Sequence, residues 1–233
     1  MFGLFALDWT ILLVIPGLII SIWAQIKVTT TFNKYSKIQT ASRTTGYSAA
    51  RRILDENGLS HVAIEQVRGH LSDHYDPRAN VIRLSEEVYS SSSPAAIGVA
   101  AHEAGHAIQY AKNYAPIKLR SALVSVTRFS SSLTIPMFFI GLILANEPLM
   151  LAGIFLYVAI VFFQLVTLPV EFNASSRAIS VLESSKMLNQ DELSASKKVL
   201  SAAALTYVAA LLTSLLTLLR LFLLLSGTSN RRR

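Results

Sequence analysis

Two histidines four residues apart, with a glutamate directly after the first, stand at His102-Glu103-Ala104-Gly105-His106. On a helix, residues four apart lie one above the other on one face, so the two imidazoles converge on one point while Glu103 is turned by about a hundred degrees. This is the HExxH arrangement, in which two imidazole nitrogens bind zinc and the glutamate takes a proton from the water that zinc activates. Zinc lowers the pKa of that water to about 7 and polarises a carbonyl, so the chemistry on offer is hydrolysis at neutral pH without a covalent intermediate. Five residues of this kind also occur on ordinary amphipathic helices. Here, however, the surrounding residues are Ala, Val, Ile and Gly, among which an unpaired buried His or Glu is costly. Gly105 costs about 1 kcal/mol relative to Ala in a helix interior, which implies that something approaches the backbone closely.

The elements that must position this pentapeptide are legible upstream of it. Ser93-Pro94 is a strong helix start, a hydroxyl cap followed by proline in the first turn, and it opens a predicted helix from Ala95 to about Lys112. Thr44 to Asn57 has helical spacing and ends at Gly58. His61 to Val67 alternates as a half-buried strand, Asp76-Pro77 signals a turn, and Asn80 to Leu84 reads as a second short strand.

The remainder of the chain is built for a different solvent. Of 233 residues, 52% are hydrophobic and 15% charged, which excludes an ordinary soluble enzyme and a disordered chain. The apolar residues pool into runs of membrane-spanning length. The first runs from Phe2 to Ala24 with Asp8 near its end, and lacks the basic beginning and small-residue cleavage site of a signal peptide, so it reads as an uncleaved anchor. Phe129 to Val170, 42 residues, would be about 63 Å long as one straight helix and must cross twice, turning at Asn146-Glu147-Pro148. A fourth run extends from Leu200 to Leu225 and contains Arg220. The excess of 21 Lys and Arg over 14 Asp and Glu belongs to membrane flanks and not to nucleic-acid binding. Residues 27–120 carry 12 Lys and Arg, and residues 171–199 add Arg177, Lys186, Lys197 and Lys198, so both segments read as cytoplasmic. A fourth crossing then places Arg231, Arg232 and Arg233 outside, against the same rule.

With no cysteine in the chain, disulfides, thiolate ligands and thiol nucleophiles are excluded. A zinc site for catalysis needs a third protein ligand and an open fourth position. His61, His70, His74 and the carboxylates are available. Glu171 has the best position, directly after Pro169-Val170 at the mouth of the third span, because the hairpin returns it to the side of His102 and His106. A glutamate there is equally a solvated interfacial charge.

Three stretches taken together resemble a known family. These are His102-Glu103-Ala104-Gly105-His106 with Ala107-Ile108-Gln109, Asp73-His74-Tyr75-Asp76-Pro77-Arg78 with Val81-Ile82-Arg83-Leu84-Ser85, and Leu168-Pro169-Val170-Glu171-Phe172-Asn173-Ala174-Ser175. They are similar to the bacterial neutral zinc membrane metallopeptidases, over nearly the whole chain. The resemblance implies a gluzincin-like centre with Glu171 as third ligand. More distantly the chain is similar to the heat-shock-type membrane metallopeptidases, which carry an aspartate where Ser175 stands here, so a hydroxyl replaces a carboxylate beside a zinc-bound histidine. In folds of this kind an edge strand before the metal helix receives substrate as an added strand, and Asn80 to Leu84 occupies that place in the sequence. His74 with Asp76 could stabilise an oxyanion, though a turn histidine is more often local structure. Arg177 reads as a membrane-flanking charge.

The expectation is therefore a mainly α membrane protein of about four transmembrane helices with a small α+β zincin-like catalytic domain. Its segments are an anchor (1–26), a catalytic domain (27–120), a transmembrane hairpin (121–170), a helix with the third ligand (171–199), and a C-terminal transmembrane helix with a basic tail (200–233). One catalytic Zn2+ is expected on His102, His106 and Glu171, with Glu103 as general base. The expected substrate is a membrane or membrane-associated polypeptide, cleaved at the cytoplasmic face, with the lipid bilayer as the other partner. A zinc-stabilised scaffold without catalysis and a zinc hydrolase of a lipid amide are the alternatives.

Overall fold

The computed structural model describes residues 9–230; Asp8 and the terminal arginines lie outside them. A single 3-10 turn at Trp9–Leu13 leads into α1 (Ile15–Tyr35), and α2 (Gly46–Glu56) follows. Next come β1 (Ala63–Val67), β2 (His74–Asp76) and β3 (Val81–Ser85), then a one-turn α3 (Glu86–Tyr89) and α4 (Pro94–Ala111). Three long helices complete the described chain, α5 (Ala115–Ile143), α6 (Glu147–Ser184) and α7 (Gln190–Asn230). The chain divides into two compact units, Met1–Ala24, Leu119–Leu168 and Thr206–Arg233 in the first, Gln25–Lys118 and Pro169–Leu205 in the second.

Among the described residues four helices are long and apolar enough to cross a membrane, at Trp9–Tyr35, Ala115–Ile143, Glu147–Ser184 and Gln190–Gly227. Leu18, Ile19, Phe129, Phe155, Phe162 and Leu219 remain exposed on them. Contiguous apolar surface of this extent is stable only against an apolar solvent, and the chain is a mainly α membrane protein. Within the first unit the α5–α6 turn is closed by Asn146, whose side chain accepts a hydrogen bond from the Leu149 amide at 3.1 Å. Small residues bring its helices together. A Cβ on Gly141 would lie 2.7 Å from the Met150 nitrogen, and one on Gly153 about 3.0 Å from Phe138. Ser21 and Thr213 share a hydrogen bond of 3.0 Å between α1 and α7, the kind of polar link that helices make in hydrocarbon.

The second unit has a core of its own, drawn from α2 (Ile53, Leu54), β3 (Ile82, Leu84), α4 (Ile97, Ala101, Ala104, Ile108), α6 (Leu182) and α7 (Leu200). The start of α2 is capped by Thr45, whose hydroxyl accepts from the Ser48 amide. The expected start of α4 is present as read, with the Ser93 hydroxyl accepting from the Ala96 amide and Pro94 in the first turn. α4 is buried nearly all round, which accounts for its alanine-rich composition, since small side chains let neighbours approach on every side. Gly98 and Gly105 mark the tightest approaches. A Cβ on Gly98 would meet the Ser196 side chain of α7 at 3.2 Å, and one on Gly105 would meet the Ala174 carbonyl oxygen of α6 at 2.7 Å.

The sheet corrects one expectation. Its order is β1-β3-β2, with β3 parallel to β1 and antiparallel to β2. The 80–84 segment is thus the central strand, with its hydrogen-bonding groups engaged on both sides, and cannot accept a further strand; the edges are β1 and β2. Sequence missed β2 because three residues beside a turn signal are too few to show alternation. Arg83 ties the three strands together on one face, donating to Asp76 at 2.8 Å and to Glu65 at 3.2 Å. The Arg83 guanidinium and the amides of Arg78 and Ala79 hold the Asp76 carboxyl down at about 2.

The α4–α6 contact generates a prediction. Gly105→Ala gains about 1 kcal/mol in helix propensity, but its methyl meets a carbonyl oxygen, and overpacking of this kind costs about 1–3 kcal/mol. The expected outcome is a lower melting temperature in detergent and weaker zinc binding by the purified protein, because the helix displaced is the one that carries Glu171. Unchanged zinc affinity would show that the close approach does not position that helix.

Candidate metal centre

α4 and α6 together build a cluster in the second unit. His102 and His106 lie one turn apart on α4, their rings edge to face with centroids 4.7 Å apart. Glu171, only 2% exposed, comes from α6. Its Oε2 lies 3.2 Å from His102 Nε2 and 3.5 Å from His106 Nε2. One ligand atom from each of the three residues lies within 4.8 Å of the other two. Two ligands at about 2.0–2.1 Å from a tetrahedral zinc are about 3.3 Å apart, close to both separations. A nitrogen, nitrogen, oxygen set without thiolate, held by three protein groups, matches a zinc site with an open position.

The far nitrogens of both rings are taken by protein. His102 Nδ1 lies 3.0 Å from the Ser175 hydroxyl, one turn beyond Glu171 on α6. The hydroxyl expected beside a histidine is therefore in contact with it. His106 Nδ1 lies 3.0 Å from Gln109 Oε1. The Gln109 amide nitrogen donates to the Val170 carbonyl at 2.8 Å and to Asn173 Oδ1 at 3.0 Å, and Arg177 Nε donates to the same Asn173 oxygen at 2.7 Å. Arg177 is thus bonded into this network, not merely a flanking charge. Burial disfavours a charged His106, but the hydrogen bond to Glu171 and the negative charges of Glu103 and Glu171 outweigh it and raise its pKa.

Glu103 is buried on the face toward the sheet. Its Oε2 accepts a hydrogen bond of 2.9 Å from the main-chain amide of Tyr75, so β2 presents an outward-facing N–H to α4. Tyr75 itself is held by its hydroxyl, which donates to Asn80 at 2.7 Å, and by its ring against Tyr110. Asp73 secures the hairpin, accepting from the Ser85 amide at 2.7 Å and the Ser85 hydroxyl at 3.1 Å. Burial, with the Glu103 charge nearby, raises its pKa.

The other candidates do not join the cluster. His74 is exposed and bonded to the Ser72 carbonyl, and Asp76 is occupied by its turn and Arg83. His70 pairs with Glu87 at 2.6 Å, and His61 is exposed. Sequence reading gave no role to Gln109 or Asn173. The available signal was weak: Gln109 is polar in an Ala- and Ile-rich helix and falls one turn beyond His106, while Asn173 and Arg177 are four apart. The Tyr75 amide carries no side-chain signal at all.

Comparison with known proteins finds a family and a relative. The chain matches the family model described as "Putative neutral zinc metallopeptidase" over residues 10–226. It is 51% identical over 210 residues to "Putative membrane protease YugP" of Bacillus subtilis (strain 168), covering 90% of this chain and 93% of that protein. No solved structure matches the chain.

The raised pKa of His106 fixes a pH trend. A folded-state value above the unfolded one contributes stability that is present below about 6.5 and lost as pH rises through the folded value. A metal ion competes for the same nitrogen and binds better as the proton leaves. The gain in melting temperature on adding zinc to chelator-treated protein is therefore expected to widen from pH 6 to pH 8.5. A gain that is constant over that range would show that His106 does not exchange a proton for the metal.

Proposed function

From the premise that the chain belongs to the neutral zinc metallopeptidase family, we propose that it is a membrane zinc metalloendopeptidase. Its substrates are membrane or membrane-associated polypeptides, cleaved at the cytoplasmic face. The observation that carries this reading is the convergence of His102, His106 and Glu171 within 4.8 Å, beside a buried Glu103 on the same helix. In this reading 27–120 is the catalytic domain, 171–199 brings the third ligand, and the apolar helices keep the site at the bilayer, which restricts what can reach it.

His102, His106 and Glu171 would hold one zinc ion, which would supply Lewis-acid chemistry at a carbonyl and lower the pKa of water toward neutrality. Glu103 takes the proton of the attacking water and passes it to the leaving amine. The Tyr75 amide holds the Glu103 carboxylate in place. Ser175 and Gln109 orient the two rings.

The test is cleavage of an unfolded reporter chain by the detergent-purified protein beside Glu103→Gln at matched bound zinc. The expected result is zinc content unchanged and the cleavage rate reduced about 10²–10⁴-fold. If both proteins hold zinc and neither cleaves a panel of reporter chains, the peptidase reading falls. The zinc then belongs to a scaffold or to a hydrolase of another bond, for which lipid amides are the next substrates to examine.

A further inference from the structure

We infer that Gln109 is a positioning residue that fixes which nitrogen of His106 carries the ring proton, and that Asn173 and Arg177 lock Gln109 in that orientation. The inference rests on the zinc-site reading above and deepens it. It follows from which groups in the network can only donate and which can only accept.

A guanidinium has no acceptor, so the Asn173 atom 2.7 Å from Arg177 Nε is its oxygen. That oxygen also faces the Gln109 amide at 3.0 Å, and the Val170 main-chain carbonyl faces the same end of Gln109 at 2.8 Å. Two acceptors at one end of the amide require that end to be NH2. A flipped Gln109 would set its oxygen against two others and leave buried donors and acceptors unpaired, at about 1–3 kcal/mol each. Gln109 is fully buried, so no water offers relief. Its oxygen must therefore face His106 Nδ1, 3.0 Å away, and can only accept. In the neutral ring, therefore, Nδ1 carries the proton and Nε2 is the nitrogen left with a lone pair. Only that tautomer presents Nε2 to a metal.

His102 is held differently. Its Nδ1 partner is the Ser175 hydroxyl, which donates or accepts as required and imposes no tautomer. The two histidines are thus unequal: His106 is set in advance by a chain of three side chains, Gln109, Asn173 and Arg177, and His102 adapts. Arg177, which does not contact the three-residue cluster, is tied to it through two amides whose directions it determines.

The experiment uses the full-length protein in detergent, in wild-type form and as Gln109→Met, Arg177→Met, the double variant and His106→Ala. Zinc dissociation constants come from competition with a chromophoric chelator. The tautomer of His106 in metal-free protein at pH 9 comes from the nitrogen spectra of 15N-histidine-labelled samples, with His106→Ala identifying the signal. Wild type is expected to show the Nδ1-protonated form. Gln109→Met is expected to bind zinc about 10–100-fold more weakly and to show a mixture of tautomers. Arg177→Met is expected to weaken binding by a smaller factor, and by none when added to Gln109→Met. An unchanged dissociation constant and tautomer in Gln109→Met would overturn the inference, as would equal effects of Arg177→Met in both backgrounds. If Gln109→Met fails to fold, the Arg177→Met tautomer decides. If wild type binds zinc no better than His106→Ala, the zinc-site reading fails instead, and the metal-free spectra still decide the tautomer.

Discussion

The backbone of α4 meets that of α6 at Gly105, where a single added carbon would lie 2.7 Å from the Ala174 carbonyl oxygen. Most of the site's arrangement depends on this approach. Glu171, Asn173, Ser175 and Arg177 are all within one turn of Ala174, and each of them reaches α4, directly or through Gln109. A larger separation would lengthen every one of these contacts together. The absence of a side chain at one position is therefore what allows short polar side chains, a hydroxyl and a carboxylate, to reach two imidazoles. The helix propensity lost at Gly105, about 1 kcal/mol, is set against an entire layer of hydrogen bonds.

That layer also explains how so many polar atoms are tolerated where α4 is otherwise alanine, isoleucine and glycine. Buried polar groups are costly singly and acceptable when fully connected. Gln109 has both ends of its amide engaged, Asn173 Oδ1 accepts twice, and each histidine is bonded at both nitrogens. Among these groups Glu171 bears the concentrated negative charge, 2% exposed with two ring nitrogens facing it, an arrangement that a cation completes.

How much of this was legible in the sequence varies with the range of the interaction. Local signals were sufficient for α4, where Ser93, Pro94 and the helical pattern declare the start, and for the four long apolar helices. The spacing of His102 and His106 specified their shared face, because helix geometry alone does so. Gly105 announced a close approach, but only the structure identifies α6 as its neighbour. Glu171 was favoured by topology, since a hairpin returns the chain to the side it left. The sheet order was not legible: pairing between strands depends on partners distant in sequence, and β2 is too short to show a period. The roles of Gln109 and Asn173 were hidden for a related reason, since an amide's function is defined by what it faces and not by its spacing.

Sixty-nine residues separate His102 from Glu171, and the turn between two bilayer-length helices lies among them. A growing chain that has completed α4 therefore carries His102, Glu103 and His106 without Glu171, without the Ser175 hydroxyl beside His102 and without the Asn173 side chain that faces Gln109. The cluster closes only after α5 and the apolar part of α6 have been made. Assembly of the membrane hairpin is in this sense the step that completes the cluster.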